Sequence, residues 1–316
     1  MDSIADQVEV YIDYKRGIGV KFDTQAHHLR HFVRFAESAG HEGSIDLEIT
    51  LLWARSGICN TRAYESARYE EVRRFSDFCR VFDETLPKLP PGLLGKMKDR
   101  VEPYIYSDED IALLMHAAGS IHDVHPLRPL AHQFLVGLLR ATGMRPSEPL
   151  DLKDGDVDEG KRTILIKDSK GKSRLIPVSD TTLEAVAEYR DRRDYLRTHH
   201  RCNNLIISTN GNALTIDSAD SAFKEYRHVL LGRGEVWNRR PPRLYDARHS
   251  FCCHTIIGWY DEGRDVAALM PVLSRYVGHE HISDTYWYLS SVPRLLSIAC
   301  EAFRGTSAWE VFSDEQ

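Results

Sequence analysis

Four chain breakers crowd into six positions, Pro87, Pro90, Pro91 and Gly92, and no helix or strand can run through them. Proline lacks a backbone donor and its ring clashes with the preceding turn, so regular structure must stop on either side. A chain of 316 residues is long enough to bury a core on both sides of such a break. The break therefore reads as a domain boundary. It predicts a helical module over residues 1–86, an extended basic linker over 87–106 carrying Lys88, Lys96, Lys98 and Arg100, and a larger domain over 107–316.

The first module is patterned for helices. Leu29, Phe32, Val33 and Ala36 fall at the i, i+3, i+4, i+7 spacing of one buried stripe, with Thr24 as the expected cap and Gly40 as the stop. A second helix is expected from Leu47 to Ala54. A third starts at Thr61, burying Val72, Phe75, Cys79 and Phe82 and leaving Arg68, Arg73 and Arg74 outside. Together these suit a small bundle of four helices. Arg30 and Arg34 stand one turn apart, off the apolar stripe.

In the larger domain Ser107 caps a helix whose first turn is acidic. A helix from Leu130 to Ala141 stops at Gly143, and Pro146 suits the first turn of the next. Arg145 thus sits at a tight junction with Glu148 one turn on, placed to orient it. The run Asp154, Asp156, Asp158 lacks the glycine and terminal glutamate of a calcium loop and reads as a solvated turn. Thr163 to Ile166 and Arg174 to Val178 are β-branched stretches flanking a polar turn, hence a hairpin. Helices over Leu183–Leu196 and Ile216–Leu231 flank a short strand, Leu205–Ser208. A helix from Leu244 carries Tyr245 and Arg248 on one face, and another over Asp265–Tyr276 leads into a Gly278-His279 turn. Ser283 and Asp284 open a helix through Tyr288, on which Tyr286 and Tyr288 point to opposite sides. Pro293 starts a last helix with Leu295, Leu296 and Ala299 on one stripe, before a loose tail. The fold class expected is mainly α, with a small β-hairpin sheet in an α+β second domain.

Six cysteines show neither a disulfide framework nor zinc spacing, the histidine pairs lack partners to complete a metal site, and no apolar run is long enough to cross a bilayer. Reduced thiols, no metal, no membrane and a cytoplasmic setting are the expectations. The net charge of −6 does not exclude a nucleic-acid partner, because phosphates are met by local basic surfaces. One such stretch holds Arg233, Arg239, Arg240, Arg243 and Arg248. A second, Arg190 to Arg201, reads equally well as a solvated face.

Three short stretches then stand out in order: Thr142-Gly143-Met144-Arg145 with Glu148, Tyr245-Asp246-Ala247-Arg248-His249, and Val277-Gly278-His279 followed nine residues later by Tyr288. With the lysine-bearing hairpin tip from Lys167 to Ser173, these resemble the tyrosine recombinases, the phage integrases and Xer-type enzymes, over about residues 107–295. The tail of the third stretch is similar to the transposon-encoded branch of that family. Before residue 107 the likeness is one of architecture only, a core-binding bundle.

The resemblance implies a site-specific recombinase or integrase that cuts and rejoins duplex DNA through a 3′-phosphotyrosine, without metal, cofactor or ATP. Arg145 and Arg248 would hold the scissile phosphate, since guanidiniums offer paired donors to its oxygens. Tyr288 would be the nucleophile, Tyr286 being out of step. Lys170 would protonate the departing 5′ oxygen, with Lys172 the other candidate because the tip is one residue short of the family's usual spacing. His279 would donate to the phosphate, and Tyr245 stands where the family has a histidine. DNA-backbone contacts are expected from Arg30, Arg34, Arg73, Lys96, Lys98, Arg239, Arg240 and Arg243. The family's mode of action implies a homotetramer on two sites, a monomer or weak dimer when free, a C-terminal docking helix over about 293–316 and possible partner recombinases. Type IB topoisomerase-like relaxation, or a catalytically weak partner of another recombinase, are the alternatives.

Overall fold

A computed structural model describes residues 3–57, 61–95, 102–123, 125–169, 172–231 and 241–291, side chains at 168 and 288–291 excepted. The chain divides into two compact units, Met1–Val101 and Glu102–Gln316.

The first unit is built on α1 (Ile4–Gly17), α2 (Asp23–Ser38), α3 (Leu47–Arg55) and α4 (Arg62–Arg80). Ser3 and Asp6 form a capping box at α1, while Asp46 and Thr61 each accept a backbone N–H at the starts of α3 and α4. Thr24 is not a cap: α2 already begins at Asp23, whose charge suits the first turn, and buried Phe22 anchors the entry. Gly40 closes α2 at φ 67°. Leu29, Phe32, Val33 and Ala36 are all buried, against Trp53, Val72 and Phe75.

Two expectations fail at α4. Phe82 is 76% exposed, because the helix ends two residues earlier and the apolar stripe does not continue through it. Arg68 is inside, 4% exposed, its guanidinium 4.0 Å from the centre of the Trp53 ring. The proline-rich stretch is held against this bundle at its start: Leu89 is buried in the core, and Tyr69 donates to the Pro90 carbonyl at 2.8 Å.

The second unit contains α5 (Asp108–Gly119), α6 (Leu127–Thr142) and the short α7 (Ser147–Asp151), then β1 (Val157–Asp158), β2 (Thr163–Ser169) and β3 (Lys172–Pro177). Helices α8 (Asp180–Leu196), α9 (Ile216–Tyr226), α10 (Asp246–Asp261), α11 (Val266–Val277) and α12 (Ser283–Ser291) follow. The expected hairpin is one edge of a three-stranded antiparallel sheet in the order β1-β2-β3, with Ile164 facing Ile176 and both buried. Leu205 to Ser208 forms isolated pairings rather than a ladder among the described residues: Ile207 bridges Ala213, and the Leu205 N–H donates to the Leu152 carbonyl at 2.8 Å. α9 ends at Tyr226 and gives way to a 3-10 turn, Arg227–Leu230.

The acidic run is not a solvated turn. Asp156 is 6% exposed and accepts from the Lys153 N–H and Lys167 Nζ, while Asp154 accepts from Arg190 and Arg193. Arg193, 2% exposed, also donates to the Leu205 carbonyl at 2.7 Å. These arginines therefore serve the interior. They read as a basic surface in sequence because their carboxylate partner lies almost forty positions away.

Candidate active site

The junction between α6 and α7 is dictated by a glycine. Gly143 sits at φ 61°, and a Cβ there would lie 2.4 Å from the Phe251 ring, so the turn tolerates no side chain. Two residues later Arg145 is 9% exposed. Its backbone N–H and Nη1 donate to the two oxygens of Glu148, each at 2.8 Å, and Nη1 also donates to Ser169 Oγ at 2.9 Å.

Arg248 lies in the first turn of α10 and is fully buried. It donates from Nη1 to the Gly143 carbonyl at 3.0 Å and from Nη2 to the Val277 carbonyl. The end of α11 is a second glycine turn, Gly278 at φ 69°, closed by the His279 N–H donating to the Ser274 carbonyl at 3.0 Å. Arg145 Nη2 donates to the Gly278 carbonyl, and Arg174 Nε on β3 donates to the Tyr276 carbonyl at 2.9 Å. Three arginines from three parts of the chain thus cover three successive carbonyls at the negative end of one helix.

Glu148 ties these groups together. Arg174 donates to both of its oxygens at 2.9 and 2.8 Å, and Ser169 Oγ donates to it as well. Burial pushes its carboxyl up. The hydrogen bonds from Arg174 and Ser169, the Arg174 charge and the Arg145 N–H outweigh that and hold it at about 2. His279 shares a 2.7 Å hydrogen bond through Nδ1 with Thr285 Oγ1, and Thr285 is fully buried on α12. The helix that carries Tyr288 is therefore fastened to the Gly-His turn one helical turn before that tyrosine.

The remaining expected residues are distributed as follows. Tyr288 falls on α12, with its side chain outside the described residues, while Tyr286 is 42% exposed. Tyr245 immediately precedes α10 and is 37% exposed, its ring 5.1 Å from His249. It lines a cavity of about 440 Å³ with Arg145, Lys224, Arg227 and Arg243. Arg248, in the first turn of α10, is buried at 0% exposure. Lys170 lies outside the described residues. Lys172 lines a separate cavity of about 390 Å³ with Arg174, Arg275 and His279.

Of the expected DNA contacts, Arg30 is bound by Glu9 as a two-pronged pair and Arg73 by Glu70 and Asp77, while Arg34 is exposed. Arg243 pairs with Asp246. Lys96, Lys98, Arg239 and Arg240, like the docking helix after Pro293, lie outside the described residues. Sequence reasoning missed Arg174, Ser169 and Thr285. The first two flank the lysine tip and the third stands one turn before Tyr288, so position alone marked them.

The model of the phage integrase family matches residues 106–293. The integrase/recombinase y4rB of Sinorhizobium fredii is 33% identical over 95% of this chain and 96% of its own length. Tyrosine recombinase XerD of Mycobacterium tuberculosis is 30% identical over 57% of this chain and 54% of its own. Among solved structures, the Tn1549 transposon integrase in complex with transposon right end DNA aligns at TM-score 0.65 and 16% identity over 95% of this chain and 99% of that one. The XerH recombinase bound to its difH substrate aligns at 0.59 and 17% identity over 91% and 82%. These likenesses do not favour the topoisomerase-like alternative. Among the described residues no helix is long and apolar enough to cross a membrane. The chain belongs to the phage integrase family and is a tyrosine recombinase, an enzyme that cuts and rejoins DNA.

Proposed function

We propose that this chain recombines duplex DNA at specific sites through a 3′-phosphotyrosine on Tyr288, acting as a tetramer on two sites. The observation that carries the reading is the meeting of Arg145 and Arg248 on adjacent carbonyls, Gly278 and Val277, beside His279. Two guanidiniums aimed at neighbouring oxygen positions fit the non-bridging oxygens of one phosphate, whose charge grows in the transition state. Tyr288 Oη attacks phosphorus and the bond to the 5′ oxygen breaks. The tyrosine's proton is released, and the 5′ oxygen takes a proton from a hairpin lysine, Lys170 or else Lys172. A free phenol titrates near 10, so the cationic site must ease its deprotonation. Rejoining is the same step run backward with a 5′ hydroxyl from the partner duplex, which is why no ATP is needed.

His279 is a donor to the phosphate, held in orientation by Thr285. Tyr245 contributes a phenol from the rim of the cavity beside Arg145 and Arg243, where it hydrogen-bonds the DNA rather than acting as a base. The first unit is the core-binding module and meets the DNA backbone through exposed Arg34, with Arg30 and Arg73 contributing only where phosphate displaces their carboxylates. Incubation with a nicked suicide duplex tests the reading. Wild type and Tyr286→Phe should give a covalent protein–DNA adduct, and Tyr288→Phe should bind the duplex yet give none. An adduct persisting in Tyr288→Phe would remove that tyrosine from the role.

A further inference from the structure

Arg174 stands on β3, just beyond the lysine tip, and all three of its guanidinium nitrogens donate into the site. Both terminal nitrogens donate to Glu148, one to each oxygen, and Nε donates to the Tyr276 carbonyl. Its side chain is 13% exposed and that of Glu148 3%. Glu148 also receives the Arg145 N–H, Arg145 Nη1 and Ser169 Oγ. A carboxylate has about four acceptor positions, so five donors saturate it. Arg145 is therefore left with a single side-chain nitrogen on Glu148, while its other terminal nitrogen points at the Gly278 carbonyl. Ser169 ends β2 just before Lys170 and Arg174 lies on β3 just after Lys172, so both strands of the hairpin donate to the same carboxylate.

Without Arg174 the balance changes. Glu148 would be a buried carboxylate with one guanidinium within reach, and the preferred geometry for such a pair is a two-pronged fork. Arg145 would then turn both terminal nitrogens onto Glu148 and away from the turn where the phosphate is read. We propose that Arg174 is a positioning residue for the cleavage reaction: by occupying both oxygens of Glu148 it prevents that carboxylate from capturing the fork of Arg145. The inference rests on the assignment of Arg145 to the scissile phosphate. It adds a residue, and a reason for it, that the assignment does not contain.

Single-turnover cleavage of a nicked suicide duplex, alongside the equilibrium affinity for the same duplex, tests it on the full-length chain. Arg174→Ala should cut about tenfold to hundredfold more slowly, the scale of a misplaced catalytic group, with affinity almost unchanged. Adding Glu148→Gln to Arg174→Ala should restore at least about tenfold of that loss, because a neutral amide no longer draws Arg145 in. Arg174→Lys keeps the charge without the fork and should fall between, which covers failure of the alanine variant to fold. A duplex with sulfur in place of the bridging 5′ oxygen, which departs without a proton, should not rescue Arg174→Ala. Rescue by that substrate would place the defect in the hairpin lysine and overturn the proposal. So would a double variant no faster than Arg174→Ala, or Arg174 variants that cut at the wild-type rate. A wild-type chain that forms no adduct at all would instead overturn the assignment beneath it.

Discussion

The two units use arginine in opposite ways. In the bundle Arg30 is answered by Glu9, Arg73 by Glu70 and Asp77, and Arg68 by the face of Trp53, while Arg34 is exposed. In the larger unit Arg145 and Arg174 share Glu148 and otherwise turn, with Arg248, to backbone carbonyls. A carboxylate partner neutralises a guanidinium, whereas a carbonyl only satisfies its hydrogen bonds. The site thus keeps positive charge in a desolvated place where it acts strongly, although the chain as a whole is acidic. The bundle's paired arginines hold much of their charge in reserve.

The largest test of this contrast removes a site arginine. Arg145→Ala or Arg248→Ala should lower cleavage by at least about a hundredfold, the scale of one lost preorganised donor set. Affinity should fall far less, since other phosphate contacts remain. Parallel losses in both measurements would make the pair anchors of the fold instead.

The second test is acid. The Glu148 carboxyl is held at about 2, below its usual 4.5. A depressed carboxyl stabilises the fold above its unfolded value, and that stability is lost as pH falls from about 4.5 through about 2. The shift corresponds to on the order of 3 kcal/mol at most. Urea midpoints at pH 5 and pH 3 should therefore differ more in wild type than in Glu148→Gln. Equal differences would mean that the carboxylate is not ionised in the network.

The smallest effect belongs to the bundle. Arg30→Ala breaks a surface pair and should leave the melting curve unchanged. If Arg30 leaves Glu9 for a phosphate in the complex, the slope of log affinity against log salt should drop by about 0.9. An unchanged slope would keep Arg30 with Glu9 and take it off the DNA-contact surface.

What could be read from sequence was local. Ser107, Thr61 and Asp265 declare helix starts within three residues, and Gly143 and Gly278 declare stops by their own chemistry. The three boxes were legible because each spans only a few positions. What stayed hidden needed a partner from elsewhere in the chain. Arg68 reads as a surface residue until Trp53 is beneath it, and Arg193 until Asp154 reaches it. Arg174 pairs with a glutamate 26 positions away, so nothing in its own neighbourhood separates it from the charged tip of a hairpin.

The carbonyls at the end of α11 have one more consequence. On the proposed assignment, a phosphate would meet guanidiniums that these carbonyls already engage, and it would compete with them for hydrogen bonds. A neutral acceptor gains nothing from that exchange, because it replaces one carbonyl-strength bond with another. An anionic oxygen gains roughly a factor of two in bond strength at each nitrogen it wins. A small solute such as inorganic phosphate brings that advantage without the flanking duplex that would hold it in place. On that assignment the turn would favour a backbone phosphate delivered by a bound double helix over a free anion.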